Sequence, residues 1–374
     1  MTSATGCALL SAGGIGVRTQ SGSGDNLYFV LQEIFTVSLL ETVNFPAFFT
    51  GVFIMKCTEA NRSFKELFKV NCSADLCIRV MTDLSEEDKS HLDIPDENFV
   101  FTDILKDILN FLGNPETDYL YIFGSSGSGK TRTVRETAAR LNWPCISVTG
   151  SKELDLASLI GYTCIRDGQS VFVEGPLTTA MKNGYIFLLN DLDLIDPLVI
   201  NGIMDVLDNR RLINPCGGMI SANRLFRFIA TGNSCETGGC ENQDGVKTLN
   251  ASLLDRFIIC RMTPLNDHDE YSLLRRMFPK LSLSDVAVMT MTAQKIRIYS
   301  NPKYENRLLQ NSMSTRTLHR WARLYLTYRR AENPFEFSLF RAYLWRIPQN
   351  EQRIVCGYLR QMINEVYESE NLDS

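Results

Sequence analysis

The fold is decided by residues 124–131, which have the sequence Gly124-Ser125-Ser126-Gly127-Ser128-Gly129-Lys130-Thr131. The stretch matches the pattern Gly-x-x-x-x-Gly-Lys-Ser/Thr at every fixed position. An apolar run typical of a buried strand precedes it (119–123), and good helix formers without Gly or Pro follow it (132–141). A strand, a glycine-rich turn and a helix start, in this order, aim several backbone N–H groups at one anion. We therefore predict a phosphate-binding loop (P-loop), against the alternative of a plain Gly/Ser-rich turn.

The residue types in this loop predict which anion it takes. Glycines lack a Cβ, so the backbone can close around phosphate groups. Lys130 would reach the β- and γ-phosphates of a nucleotide, and the Thr131 hydroxyl would bind Mg²⁺. The sequence thus predicts that residues 124–131 bind a nucleoside triphosphate together with Mg²⁺.

Composition limits the remaining possibilities. The chain has 374 residues, enough for two or three domains, and 44% of them are apolar, as in ordinary globular proteins. Its net charge of −5 speaks against a nucleic-acid-binding protein, which usually needs a basic face. The Arg-rich stretch 316–330 is more typical of a solvated or subunit-facing helix surface.

The cysteines predict a reducing compartment. Eleven are scattered without a regular framework, and no secretory leader is recognisable, so we expect reduced thiols and a cytoplasmic protein. Cys235 and Cys240 lie in a Gly-rich polar stretch that could seat a metal ion. With no second pair and no nearby His, a metal site there is the less favoured alternative.

The N-terminal quarter carries no motif. Residues 1–25 are rich in Gly, Ser and Thr, and 27–55 are apolar but interrupted by residues such as Gln32, Glu33 and Glu41. A membrane span needs about 20 nearly uninterrupted apolar residues, so we expect none in this poorly defined extension, residues 1–55. A start at Met55 would make it an upstream extension. Residues 56–98 are expected to form a small module or arm that ends in an acidic linker.

Hydrophobic patterns divide the rest of the chain into two domains. Over 99–264 an amphipathic helix (102–113) precedes five short apolar runs, at 119–123, 145–148, 185–189, 226–231 and 257–261. Strands alternating with helical patterns predict an α/β domain with a five-stranded parallel sheet and helices on both faces. After Pro264 the strands stop. A smaller all-α domain is predicted over 265–374, with helices at 267–278, 284–299, 315–330, 334–346 and 351–367.

Polar residues follow two of the predicted strands. Asn190, Asp191 and Asp193 end the run 185–189, and Asn233 follows the run 226–231. Ligands in open α/β sheets bind at the carboxyl ends of strands, so these side chains are candidates for binding Mg²⁺ and for orienting the attacking water. The alternative is a strand-terminal turn and helix cap, for which Asp and Asn are also favoured.

Several ordered blocks beyond the loop make a family resemblance specific. They are Arg140-Leu-Asn-Trp-Pro-Cys145, Phe172-Val-Glu-Gly-Pro-Leu177, the run 184–193, Asp196-Pro197, Leu207-Asp-Asn-Arg-Arg-Leu212, Phe228-Ile-Ala-Thr-Gly-Asn233, Leu253-Leu-Asp-Arg-Phe257 and Ser314-Thr-Arg316. Over residues 95–330 the chain resembles AAA+ ATPases of the MoxR type. Within that type it is most similar to the S subunit of aerobic cobaltochelatase and the nitric-oxide-reductase-activating ATPases. The resemblance implies a P-loop AAA+ core followed by a helical lid.

The resemblance also implies site roles, position by position. Asn190 stands where the family has its Walker-B metal residue, and Asp191 where it has the catalytic acid. Asn233 corresponds to sensor 1, Arg256 to an arginine finger that reaches the neighbouring subunit's ATP, and Arg316 to the sensor-2 arginine of the lid. An arginine from a neighbour would stabilise the charge on the γ-phosphoryl oxygens. The alternatives are a surface ion pair with Asp255 for Arg256 and a solvated helix face for Arg316.

One position departs from the family pattern, which usually has Asp-Glu where this chain has Asn190-Asp191. An amide oxygen can approach Mg²⁺ but carries no charge, and Asp191 is one methylene shorter than Glu. A register shifted by one would make Asp191 the metal ligand and bring Asp193 in as the acid. In either register we expect slow turnover and intact nucleotide binding.

The resemblance implies an ATP-hydrolysing ring, expected to be a hexamer, that remodels or activates a partner protein, including by metal insertion. The implied partner is a co-subunit or client with a von Willebrand A domain. Two alternatives stay open: an ATP-responsive assembly or scaffold protein with weak hydrolysis, and a nucleic-acid-linked motor. The net negative charge speaks against a nucleic-acid-linked motor. The motif Asn-Lys-x-Asp, which reads guanine, is absent from the sequence.

Overall fold

The computed structural model describes residues 59–69, 77–113, 118–234, 249, 251–301 and 307–372. The predictions for residues 1–55 and for the Cys235–Cys240 pair lie outside this part of the chain. Within it, no helix combines the length and the apolar character needed to cross a membrane. The same residues contain no group of three or more His, Cys, Asp or Glu side chains arranged to hold a metal ion.

The described part of the N-terminal arm packs on the α/β domain. Its elements are β1 (Glu59–Ser63), α1 (Phe64–Phe68), β2 (Cys77–Met81) and α2 (Glu86–Ser90). Strands β1 and β2 pair antiparallel. Phe64 and Phe68 are fully buried in a cluster shared with the next helix and the central sheet, so burial of these two rings fixes the arm to the domain.

The predicted five-stranded sheet is present. The elements of the α/β domain are α3 (Ile104–Gly113), β3 (Tyr119–Phe123), α4 (Lys130–Arg140), β4 (Cys145–Thr149), α5 (Leu156–Ile160), β5 (Gly161–Arg166), β6 (Gln169–Glu174), α6 (Pro176–Asn183), β7 (Ile186–Asn190), α7 (Pro197–Asn209), β8 (Arg211–Ile213), β9 (Met219–Ser221), β10 (Arg227–Gly232), α8 (Ala251–Leu254) and β11 (Phe257–Arg261). The central sheet has the order β11-β3-β10-β7-β4, with every pairing parallel.

Alternation along the central strands separates two cores. In β3, Tyr119 and Tyr121 face a cluster that contains residues of α6 and α7. Leu120 and Ile122 face the opposite cluster, which contains residues of α3, α4 and the arm. Successive side chains of a strand point to opposite faces, so a five-residue apolar run buries both faces of the sheet at once.

Two antiparallel hairpins project from this domain and were not predicted. One pairs β5 with β6, and the other pairs β8 with β9. Their strands are largely exposed, and apolar side chains such as Tyr162, Ile165 and Ile213 face solvent. Without a buried face, these segments lack the clear alternation that predicts a strand.

The C-terminal region is helical, as predicted. It contains α9 (Asp267–Met277), α10 (Leu283–Ser300), α11 (Thr315–Thr327), α12 (Pro334–Ala342) and α13 (Gln349–Leu372). These helices enclose a core of their own around Trp321, which is fully buried. The predicted helix 334–346 ends at Ala342 and continues as one 3₁₀ turn, Leu344–Arg346, because the backbone leaves helical geometry at Tyr343, where φ is −141°. The predicted fold class, an α/β domain followed by a smaller all-α domain, is confirmed.

Candidate functional site

The loop 124–131 lies at the carboxyl end of β3, in the strand–turn–helix arrangement that the sequence predicts. Gly124, Gly127 and Gly129 have φ angles of 159°, 76° and 101°. Helix α4 starts at Lys130, two residues earlier than predicted, because Gly129 in the left-handed region caps it. A Cβ at Gly124 would lie 2.4 Å from the Met262 carbonyl oxygen, so a side chain would collide with the backbone after β11.

Lys130 links the loop to a neighbouring strand. Its Nζ donates to the carbonyl oxygens of Gly124 and Ser125, at 2.8 and 3.1 Å, and to Oδ1 of Asn233, at 2.9 Å. The Lys130 side chain is almost fully buried. Asn233 follows β10, the strand next to β3. The ammonium group is therefore held over the loop, where a phosphate would replace part of these contacts.

Thr131 and Asn190 are in direct contact. The Thr131 hydroxyl donates to Oδ1 of Asn190 at 2.7 Å, and Thr231 donates to the same oxygen at 3.2 Å. The amide Nδ2 of Asn190 donates to Oγ of Ser147 and to the carbonyl oxygen of Val148. This network fixes the amide with its oxygen toward Thr131.

The oxygen atoms at this point suit a small hard cation. Mg²⁺ prefers oxygen ligands and keeps several waters, so one hydroxyl and one amide oxygen beside a phosphate site fit it. Within the described part of the chain the loop hydroxyl of Ser128 is buried and has no hydrogen-bond partner, so a polar group remains for a bound anion. Thr131 and Asn190 are thus the candidate metal-binding residues.

Asp191 stands at the mouth of the site in an unusual backbone conformation. Its φ of 53° lies in the left-handed region, where a non-glycine residue is uncommon. Burial and the nearby charge of Asp193 raise the pKa of the Asp191 carboxyl, while Lys130 and Arg316 oppose that shift. A carboxylate with a raised pKa beside a phosphate-binding loop is suited to general-base chemistry.

Asp193 holds the backbone that follows β10. Its Oδ2 accepts from the backbone N–H groups of Asn233 and Ser234, at 2.8 and 3.1 Å, and from the Ser234 hydroxyl. The side chain is 1% exposed. These contacts favour the register in which Asn190 and Asp191 face the loop, with Asp193 positioning Asn233.

Arg316 belongs to the same site although it lies in the helical region. It is in the first turn of α11, and Ser314, the N-cap of that helix, packs against the loop. A Cβ at Gly127 would lie 2.8 Å from Cβ of Ser314 and 3.9 Å from Cβ of Arg316. The chain thus brings Lys130, Asp191, Asn233 and Arg316 around one loop.

Arg256 is not part of this group. The backbone N–H of Tyr119 donates to the carbonyl oxygen of Arg256. Arg256 therefore lies beside the amino-terminal end of β3, at the end of the sheet opposite the loop. A five-residue strand separates the two edges by roughly 15 Å. The Arg256 side chain is 40% exposed, and its guanidinium pairs with Asp208 at 3.0 Å. The sequence-based alternative was a surface ion pair with Asp255 instead. Arg256 is therefore unable to reach the phosphate loop of its own chain.

A cavity of about 470 Å³ connects these residues with the N-terminal arm. Its lining combines loop residues with Asp191, Asn233, Arg316 and the arm residues Asp93 and Ile94. The volume lies within the range of small-molecule sites. Sequence reasoning missed Asp93 and Ile94, because the stretch 93–98 carries only the polar composition of a linker.

Ion pairs between the arm and α4 hold this wall of the cavity. Arg135 pairs with Asp93, and Arg132 pairs with Asp96. The carboxylate of Glu136 accepts from the backbone N–H of Asp96 at 3.0 Å. Charged residues of α4 thus face the acidic stretch of the arm, a pairing visible only once the chain is folded.

Comparison with known families agrees with this geometry. Residues 120–257 match the model of the AAA domain, dynein-related subfamily. This segment of the chain is therefore similar to AAA domains. The match starts in β3 and ends at the first residue of β11, so it contains the P-loop, Asn190, Asp191, Asn233 and Arg256.

Part of the chain is also similar to bacterial proteins. An uncharacterized protein of Staphylococcus haemolyticus is 31% identical over 148 residues, which are 37% of this chain and 53% of the relative. One of Staphylococcus aureus strain USA300 is 32% identical over 167 residues, or 43% and 59% of the two chains. The chain thus spans somewhat over half the length of these relatives.

Among solved structures, NtrX of Brucella abortus in complex with ADP aligns over 63% of this chain and 52% of its own. Its sequence identity is 16% and its TM-score is 0.40.

Proposed function

We propose that this protein binds ATP with Mg²⁺ and hydrolyses it in a ring of subunits. The proposal is carried by the convergence of Lys130, Asp191, Asn233 and Arg316 on the P-loop of an AAA+ domain. A phosphate loop alone would suit many nucleotide-binding proteins. A buried ammonium, a carboxylate of raised pKa, an amide and a guanidinium around it together suit cleavage of a terminal phosphate.

Each group has a distinct part in the reaction. The backbone N–H groups of 124–129 and the Lys130 ammonium bind the β- and γ-phosphates. Asp191 accepts the proton of the attacking water, and Asn233 orients that water or the γ-phosphate. Arg316 stabilises the charge that spreads over the γ-phosphoryl oxygens. Mg²⁺, held through Thr131 and Asn190, would supply positive charge between the phosphates.

The position of Arg256 supports a ring. A guanidinium at the edge opposite the P-loop can act on phosphate only in a neighbouring subunit. Its pairing with Asp208 is exposed, and exposed ion pairs contribute little free energy, so the side chain is available for an interface. We propose a hexamer in which Arg256 completes the neighbour's site.

The finer assignment comes from the sequence resemblance. Similarity to the MoxR type and to the S subunit of cobaltochelatase supports a machine that remodels or activates a partner, with metal insertion as one such task. The partner would carry a von Willebrand A domain. In this proposal residues 99–264 form the ATPase domain, residues 265–374 form the lid, and nucleotide changes move one against the other.

One observation favours a second candidate, an ATP-responsive assembly protein that hydrolyses slowly. Asn190 presents to Thr131 an amide oxygen without negative charge, so Mg²⁺ would be held less strongly than by a carboxylate. In that case nucleotide binding would persist and turnover would be low.

Phosphate release from MgATP by the full chain tests the proposal. Turnover that is abolished in Lys130→Ala, and abolished in Asp191→Ala with ATP binding unchanged, is the expected result. Saturable ATP binding without turnover above background, also in the presence of co-purifying partners, would favour the assembly protein. An Asp191→Ala protein with the wild-type rate would remove Asp191 from the mechanism.

A further inference from the structure

A buried ion pair lies inside the helical lid, directly behind the helix that carries Arg316. Glu270 of α9 is 1% exposed, and Arg297 of α10 has a side-chain exposure of 16%. The two guanidinium nitrogens of Arg297 donate to the two carboxylate oxygens of Glu270, at 2.6 and 2.8 Å. Bidentate pairs of this kind fix geometry as well as charge.

The same pair holds the start of α11. The hydroxyl of Thr315 donates to Oε1 of Glu270 at 2.8 Å. Arg297 also donates through Nε to the carbonyl oxygen of Met313 at 2.7 Å. The backbone before α11 and the first residue of α11 are therefore both fastened to the pair.

Arg316 follows these contacts immediately in the chain. Thr315 lies between Ser314, which packs against Gly127 of the P-loop, and Arg316, which lines the cavity. A shift of the Thr315 backbone would move both neighbours relative to the phosphate loop. The direction of Arg316 is thus set from inside the lid.

We propose that Glu270, Arg297 and Thr315 form a lid clamp that positions Arg316 for the γ-phosphate. The inference rests on the proposed function, because it assigns these three residues an effect on nucleotide only through Arg316. They do not line the cavity themselves. They are positioning residues.

Thr315→Val is the sharpest test, because it removes one hydroxyl and leaves the buried ion pair intact. Replacing Glu270 would leave Arg297 buried without its counter-charge and would unfold the lid. Thr315→Ser keeps the hydroxyl and serves as the rescue variant. Thr327→Val is the matched control, since the Thr327 hydroxyl lies at the exposed end of the same helix.

KM for MgATP, kcat and the melting temperature are measured for these variants, for Arg316→Ala and for Thr315→Val combined with Arg316→Ala. Thr315→Val is expected to raise KM about 3- to 10-fold, with Thr315→Ser and Thr327→Val at the wild-type value. The double variant should match Arg316→Ala alone, because both changes act through one guanidinium.

Four outcomes would overturn the inference. Thr315→Val with wild-type kinetics, or an effect that adds fully to that of Arg316→Ala, shows that the clamp does not act through Arg316. Arg316→Ala with wild-type kinetics removes the residue that the clamp positions. A wild-type chain that binds no ATP overturns the proposed function as well, whereas in the other cases the proposed binding and hydrolysis of ATP survive.

Discussion

Asn190 is the residue at which this chain departs from the pattern it resembles, and its contacts explain why an amide is accommodated. Its Nδ2 donates to Ser147 and Val148, and its Oδ1 accepts from two threonine hydroxyls. A carboxylate has no hydrogen to donate, so Asp at this position would face the Val148 carbonyl oxygen without a bond. The amide therefore forms more of the hydrogen bonds available at this position without nucleotide, and a carboxylate would bind Mg²⁺ better.

Asn190→Asp should separate these two effects. The half-saturating Mg²⁺ concentration for ATP binding is expected to fall several-fold, because a charge is added beside Thr131. The melting temperature should fall by about 2–4 °C, because a hydrogen bond is lost in a buried network. Ser147→Ala is the control that loses one contact of the same amide without adding charge. Unchanged Mg²⁺ dependence in Asn190→Asp would argue against Asn190 as a metal-binding residue.

Asp191→Asn tests the general base with little change in shape. Hydrolysis should fall 100-fold or more, and the dissociation constant for ATP should stay near the wild-type value. Because burial raises the Asp191 pKa in the folded chain, its charge destabilises the folded state at neutral pH, and this cost disappears as pH falls through the raised pKa. The variant should therefore melt at an equal or higher temperature. A lower melting temperature would contradict this electrostatic account.

The raised pKa of Asp191 also predicts how turnover of the wild-type chain depends on pH. A base must be ionised to accept a proton, so kcat should decline on the acidic side around a pKa above the ordinary Asp value of 3.8. Phosphate-release assays at a series of pH values measure this acidic decline of kcat directly. If the decline of kcat gave a pKa at or below the ordinary Asp value, Asp191 would not be the group that titrates.

Among the elements, the P-loop and α11 form the contact that joins the two domains at the site. Gly127 lies close to this helix, since a Cβ there would collide with Ser314. Gly168 has almost the same φ angle, 78° against 76°, but lies at the tip of the β5–β6 hairpin with open space around its Cβ position. The two glycines therefore share a backbone conformation that would strain an alanine, and they differ in what the new methyl group would meet.

Gly127→Ala and Gly168→Ala form a matched pair. Both should lose stability, because Ala is strained at positive φ, and Gly127→Ala should lose more, because its methyl group also meets Ser314. Only Gly127→Ala should weaken ATP binding, by 10-fold or more, because its methyl group would push α11 and Arg316 away from the loop. Equal ATP affinity in the two variants would contradict a functional contact between the loop and the lid.

Whether these elements could be predicted depends on how far apart in the sequence their contacting residues lie. The P-loop and the strands around it have local signals, such as glycines at fixed positions and short apolar runs, and the sequence predicted them. Asp93 with Arg135, or Glu270 with Thr315, are brought together over 42 and 45 residues by tertiary packing. No local pattern marks such pairs, so the arm wall of the cavity and the lid clamp emerged only from the structure.

For the whole molecule, the proposed ring requires active sites that are shared between subunits, because Arg256 lies away from its own P-loop. A chain with Arg256→Ala keeps its P-loop, and a chain with Lys130→Ala keeps its arginine. Each variant alone should be inactive, and mixing the two before assembly should restore part of the activity. Asp208→Asn, which breaks the same ion pair but keeps the guanidinium, should stay active. Full activity of Arg256→Ala alone, or no recovery on mixing, would contradict the shared site.

The central claim is that the loop 124–131 binds ATP, and direct titration tests it. Purified full-length chain is titrated with fluorescent ATP in the presence of Mg²⁺, beside the Lys130→Ala variant and with excess unlabelled ATP as competitor. The account predicts saturable, competable binding with one nucleotide per chain, lost or strongly weakened in Lys130→Ala. Absence of saturable binding by the folded wild-type chain, or equal affinity in Lys130→Ala, would contradict it.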